Sequence, residues 1–184
     1  NDPRFGDQWG LTQIGAQCAW AVTTGSADVT VAVVDSGVDM NHPDLVDRLR
    51  TDGRDFVDGD NDPSDENGHG TNVAGIVAAT LANNEGIVGL APGIRILPIR
   101  VMNARGAGSD RAISRGVRYA ADKGAQVINL SLGATLTIDA DTVSEQVTSA
   151  IRYAQSKGSL VIVAAGNDFL PLENAIVGDN TDVV

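Results

Sequence analysis

Residues 67–81, NGHGTNVAGIVAATL, constrain this chain more than any other stretch. His69 stands between Gly68 and Gly70, and an almost wholly apolar run of small residues follows, including Val73, Ala74, Ile76, Val77, Ala78 and Ala79. A helix that is apolar nearly all round belongs inside a domain, between layers. The expectation is a buried helix with His69 at its mouth, close to the positive N-terminal end. That end disfavours imidazolium and a nearby carboxylate favours it. A balance of the two suits a general base. The same placement also suits a structural histidine at a helix cap, so His69 alone decides nothing.

The rest of the composition narrows the class. The chain has 184 residues, about one domain, with 42% apolar side chains but only 4% aromatics, so its core must be aliphatic. Thirteen basic against 24 acidic residues give a formal charge of -11, which argues against nucleic acid or an anionic membrane as partner. No run approaches the roughly 18 apolar residues of a membrane span. The opening NDPRF lacks the basic, apolar character of a signal sequence, as expected of a mature or a cytosolic form. A single cysteine, Cys18, rules out an internal disulfide framework and reads as a packed small hydrophobe.

Strand and helix patterns alternate along the chain. An arm over residues 1–24 carries Trp9, Ile14 and Trp20 and is placed to lie across a larger body. Residues 29–35, VTVAVVD, form a near-continuous β-branched run, as in a parallel strand covered on both faces. Further strands are expected over 94–101 (with Pro98 needing an edge, a bulge or the strand's end), 125–131 and 160–165. Helices are expected over 111–123, capped by Asp110 and closed by Gly124, and over 142–157, closed by Gly158. This alternation predicts an α/β fold, a doubly wound parallel sheet with helices on both faces, in one domain over residues 1–184. No G-x-G-x-x-G opens a helix after a strand, which counts against a nucleotide-binding α/β domain.

Chemistry-bearing residues gather where ligands meet such sheets, at the carboxyl ends of strands. Asp35, Ser131-Leu132-Gly133 and Asn167 end three of the strands, and His69 falls on the same edge. Asp35 is placed to hold the imidazole in one tautomer, and Asn167 to aim an amide at a developing oxyanion, although Asn167 after a glycine equally suits a turn. Together the set fits acyl transfer. Residues 55–67 hold five aspartates and one glutamate, with Asp55, Asp58, Asp60 and Asp62 closely spaced around Gly59 and Pro63. Such a loop is either solvated or a site for a hard cation such as Ca²⁺. Its spacing is not that of an EF-hand.

VAVVDSGVDMNHPDL around Asp35, NGHGTNVAGI around His69, VINLSLG around Ser131 and VIVAAGN around Asn167 come in the order found in the subtilisin-like serine proteases, which the whole chain resembles. NDP near the start and the acidic run before His69 resemble the thermitase branch. The resemblance implies a serine endopeptidase in which Asp35 orients His69, His69 is the general base and Asn167 the oxyanion-hole side chain. It implies that Arg105, Gly106, Ala107 and Gly108, with Ser131, Leu132 and Gly133 and with Ala165 and Gly166, bind an extended peptide or protein substrate. It implies calcium at Asp55, Asp58, Asp60 and Asp62, and at Asp44, where the family's tight site begins. A secreted mature form made from a zymogen is also implied, with a propeptide or protein inhibitor as a further partner.

The chain departs from the family pattern in three places. The nucleophile serine of a Gly-Thr-Ser-Met-Ala motif is absent, and DNTDVV reads as an interrupted strand. The expectation is therefore the N-terminal portion of the catalytic domain, incomplete here, with the serine on a C-terminal segment present as a second chain or omitted. The alternative is a non-catalytic, peptide-binding member of the fold. Asn72 stands where the family commonly has a second histidine, and residues 83–89 form a loop one residue shorter than the usual calcium loop. Asp168 is placed either at the rim of the pocket for the residue before the scissile bond, favouring a basic side chain, or in a solvated turn.

Overall fold

In the computed structural model, which describes residues 2–133 and 145–164, five parallel strands form one sheet. The strands are β1 (Thr30–Asp35), β2 (Arg54–Asp55), β3 (Arg95–Arg100), β4 (Val127–Leu130) and β5 (Leu160–Val163), in the order β2-β3-β1-β4-β5. The expected fold class is what the structure has. β1 pairs with β3 on one side and β4 on the other, so the strand order reverses beside β1. In an open α/β sheet that reversal opens a crevice at the strands' carboxyl ends.

Burial on both sides follows from the period of two along β1. Val31 and Val33 pack into one cluster with Ala74 and Ala78 of helix α3 (His69–Ala78). Ala32 and Val34 pack on the opposite face with Val117 and Ala120 of α4 (Asp110–Asp122) and with Ala150, Ile151 and Ala154 of α5 (Glu145–Ser156). Every residue of β1 is buried, which is why the strand reads as one continuous apolar run. Two short helices, α1 (Trp9–Gln13) and α2 (Ala16–Trp20), carry the N-terminal arm against residues 86–90, where Gln8 exchanges hydrogen bonds with the backbone of Val88 and Trp20 Nε1 donates to the Leu90 carbonyl at 2.8 Å.

Four local expectations need correcting. The helix α3 is not buried all round: Gly70, Ala74, Gly75 and Ala78 are buried, while Ile76 is 57% exposed and Asn72 is exposed. A helix lying on one face of a sheet hides only its inner stripe, and no described residue covers the outer one. Cys18 is exposed, because α2 turns Ala16 and not its sulfur towards the arm's small cluster. The cap of α4 is Ser109, whose Oγ accepts from the Ala112 N–H at 3.2 Å, and Asp110 is the first helical residue, where its charge suits the helix end. Pro98 lies inside β3, and the segment between Leu49, bridged to Ile96, and β2, which pairs from Ile99, is not a strand. Its missing N–H therefore breaks no ladder.

Candidate active site

Two segments bring the site together. β1 delivers Asp35 at its carboxyl end, with none of its side chain exposed. Helix α3 then delivers His69 as its first residue, after Gly68 turns the backbone into the left-handed region at φ 100°. Gly70 makes the approach possible, because a Cβ there would lie 2.1 Å from the Gly37 carbonyl oxygen and 3.1 Å from Asp35 Cβ. The helix start can therefore press directly on the strand's end. His69 Nδ1 and Asp35 Oδ1 are 2.8 Å apart, and the imidazole is 49% exposed. This contact fixes the ring with Nδ1 turned to the carboxylate and leaves Nε2 as the atom free to exchange a proton. No serine hydroxyl is hydrogen-bonded to His69 among the described residues.

Asp35 is held in place by more than the histidine. The Ser36 N–H donates to the same oxygen, Oδ1, at 2.7 Å, and Oδ2 has no partner among the described residues. Burial pushes the Asp35 carboxyl above the ordinary carboxylate range, and the hydrogen bonds from His69 and Ser36 work against that rise.

The expected peptide-binding segments flank this pair. Residues 101–108 leave the end of β3 and residues 131–133 the end of β4, the two strands on either side of β1. The first forms a tight exposed turn, with Met102 bridged to Gly108 and the Asn103 N–H donating to the Ala107 carbonyl at 2.9 Å. Arg105, Gly106, Ala107 and Gly108 are exposed on it, and Asn67 Nδ2 ties the turn to the loop before His69 through the Ala104 carbonyl at 3.0 Å. In the second, Leu132 is buried, Gly133 is exposed and Ser131 accepts from Asn129 Nδ2 at 2.9 Å. Ala165, Gly166, Asn167 and Asp168 lie outside the described residues.

The aspartates expected to share a calcium ion are placed otherwise. Among the described residues no three acidic, histidine or cysteine side chains converge as a metal-holding group. Arg100, buried at the end of β3, takes the central place instead, pairing with Asp55 at 2.7 Å, Asp58 at 3.0 Å and Glu66 at 2.5 Å. Burial opposes its charge, yet the carboxylates of Asp55, Glu66 and Asp58 together raise its proton affinity. Asp60 Oδ1 accepts from the Asp62 N–H, and Asp62 is held below the ordinary carboxylate range by the hydroxyl and N–H of Ser64. With Asp55 and Asp58 drawn to the guanidinium, Asp55, Asp58, Asp60 and Asp62 as placed do not converge as a calcium centre.

Asp44 stands in a different setting. It is buried and accepts from Asn83 Nδ2 at 2.9 Å and the Ile87 N–H at 3.0 Å. Asp2, also buried, accepts from the N–H groups of Ala82 and Asn83 in the same loop. Two buried carboxylates thus converge on residues 82–87, and no cationic side chain pairs with either among the described residues. Such a donor set suits a hard cation. Sequence reasoning missed Asp2, Asp65 and Arg100. Asp2 and Arg100 carry no local signal, whereas the Asx spacing of Asp65 ahead of Gly68 and the helix start is one.

The comparisons with known proteins agree with this geometry. The model of the Subtilase family matches residues 26–182. Thermitase of Thermoactinomyces vulgaris is 46% identical over 168 residues, covering 91% of this chain and 57% of that protein. A thermophilic serine proteinase of Bacillus sp. (strain AK1) is 47% identical, over 91% of this chain and 40% of that protein, so the chain spans about half the length of these relatives. Among solved structures, Sphericase superposes with a TM-score of 0.71 at 35% identity, over 81% of this chain and 49% of that one. Strand order, paired Asp35 and His69 and family match together place the chain in the subtilase family.

Proposed function

We propose that this chain is the part of a serine endopeptidase that carries the base and its orienting carboxylate. The observation behind this reading is the 2.8 Å contact between a fully buried carboxylate and a half-exposed imidazole at the sheet's switch point. In this mechanism a serine hydroxyl, supplied by a segment outside the described residues or by a second chain, attacks the peptide carbonyl. His69 Nε2 takes its proton and later returns it to the leaving amine. Asp35 keeps Nδ1–H oriented and stabilises the imidazolium, and Asn167 donates to the oxyanion. The segments over 105–108 and 131–133 bind the substrate as an added strand, with Ala165 and Gly166 completing its bed.

The reading extends to location and cation. A secreted enzyme matured from a zymogen, with its propeptide or a protein inhibitor as partner, accords with the family. No helix among the described residues is long and apolar enough to cross a membrane. Calcium would be held by Asp2 and Asp44, where it supplies the positive charge their loop lacks and stiffens the N-terminal arm.

A fluorophosphonate probe on the full-length protein tests the catalytic reading. Covalent labelling of a serine, abolished by His69→Ala, is expected. A folded protein that takes no label would leave a peptide-binding role in place of catalysis. For calcium, a chelator is expected to lower the melting temperature by the equivalent of about 3 kcal/mol when the site was near saturation. Asp44→Asn should remove that sensitivity and Asp60→Asn should not. A melting temperature indifferent to chelation would remove the site.

A further inference from the structure

The carboxylate of Asp65 receives five hydrogen bonds, and they reach both halves of the catalytic pair. Its Oδ1 accepts from Ser36 Oγ at 2.8 Å and from the N–H groups of Asn67 and Gly68, both at 2.9 Å. Its Oδ2 accepts from the Thr71 N–H at 3.0 Å and the Thr71 hydroxyl at 2.6 Å. Although its partial burial works the other way, these bonds hold the Asp65 carboxyl below the ordinary range, so it stays charged.

The first three N–H groups of α3 have no acceptors within the helix, and each finds a side chain outside it. His69 donates to Asn67 Oδ1 at 3.3 Å, Gly70 to Ser36 Oγ at 3.0 Å and Thr71 to Asp65 Oδ2 at 3.0 Å. Ser36 is the link between the two halves. Its N–H fixes Asp35 Oδ1, while its hydroxyl accepts from the His69 helix and donates to Asp65. A fixed negative charge at the helix start also favours that end electrostatically.

We propose that Asp65 is a positioning residue, acting through Ser36 and the first turn of α3 to set the Asp35–His69 contact. It touches neither substrate nor the reacting atoms. The inference rests on the catalytic reading above, and its effect is one of geometry: a small misplacement of a base can cost on the order of 10²-fold in rate.

The test uses the full-length protease at a temperature where circular dichroism shows each variant folded. Asp65→Asn keeps the size of the side chain but loses the charge and one acceptor. It is expected to lower kcat roughly 10- to 100-fold with KM within about twofold. Ser36→Ala should do the same, and the double variant should lose no more than the worse single one, because both break one connection. The proton shared by His69 Nδ1 and Asp35, seen by NMR far downfield, should shift in both variants. A wild-type enzyme without activity would sink the catalytic reading, and the NMR signal would still judge the positioning. An active wild type whose kcat and shared proton are unchanged by the substitutions overturns the positioning alone. If Asp65→Asn does not fold, Ser36→Ala decides by the same two readings.

Discussion

Asp35 ends β1 and Asp55 ends β2, and both stand in one row across the sheet, each in register with Arg100 of the intervening β3. Both are buried. Asp55 meets a buried guanidinium, which keeps its charge at any pH a protein survives, so their pair is a permanent fastening for residues 55–66. Asp35 meets a half-exposed imidazole, a partner that water can reach. The same residue type at the same strand position thus stands in two settings, set by what faces it and whether water reaches that partner. Asp55 also accepts the N–H groups of Val57 and Asp58, whereas one oxygen of Asp35 lacks any partner among the described residues.

The sharpest way to break this comparison is to remove each partner in turn. His69→Ala should cost about 10⁶ in kcat and Asp35→Asn about 10⁴, the losses that follow removal of the corresponding residues in subtilisin, a relative of this chain. Steady-state kinetics on the full-length protein checks both. Neither variant should lower the melting temperature much, since an Asp35 left without its histidine can take up a proton. Arg100→Met should do the opposite. It leaves three carboxylates, Asp55, Asp58 and Glu66, crowded together without the cation they share, an expected loss of about 3–5 kcal/mol in denaturant unfolding. Restoring much of that stability by adding Asp55→Asn would show that the stranded charge was the cause. Equal behaviour of Arg100→Met and His69→Ala would erase the distinction.

The smallest effect concerns pH. Burial raises the folded-state affinity of Asp35 for its proton above that of the unfolded chain. Its contribution to stability is therefore fully present below the ordinary carboxylate value of about 4 and declines as pH rises through the higher folded value. Wild type should lose stability relative to Asp35→Asn over that window, measured by urea unfolding at a series of pH values. A difference that stayed flat with pH would mean that the carboxyl is not perturbed.

Much of this was legible beforehand. The β-branched run ending on Asp35, the small-residue helix behind His69 and the amphipathic patterns of α4 and α5 announce their elements because one spacing, two or 3.6, dominates each of them. The ion pairs of the acidic run over 55–62 were not legible for a physical reason: their counter-charge, Arg100, comes some 40 positions later and looks like any strand-end arginine until β3 pairs with β2. Asp65 was hidden among its acidic neighbours, and Asp2 lay far from the loop it serves.

The order of the strands and helices, the aliphatic core and the presence of a carboxylate, an imidazole and a glycine able to let them meet were all determined by the sequence alone, because local patterns of size and polarity dictate them. Which carboxylates would pair with arginine and which would brace the helix start was decided only in the tertiary structure. Electrostatic and hydrogen-bonding partners are set by distance in space, and for Asp35, Asp55 and Asp2 the partner lies tens of residues away along the chain.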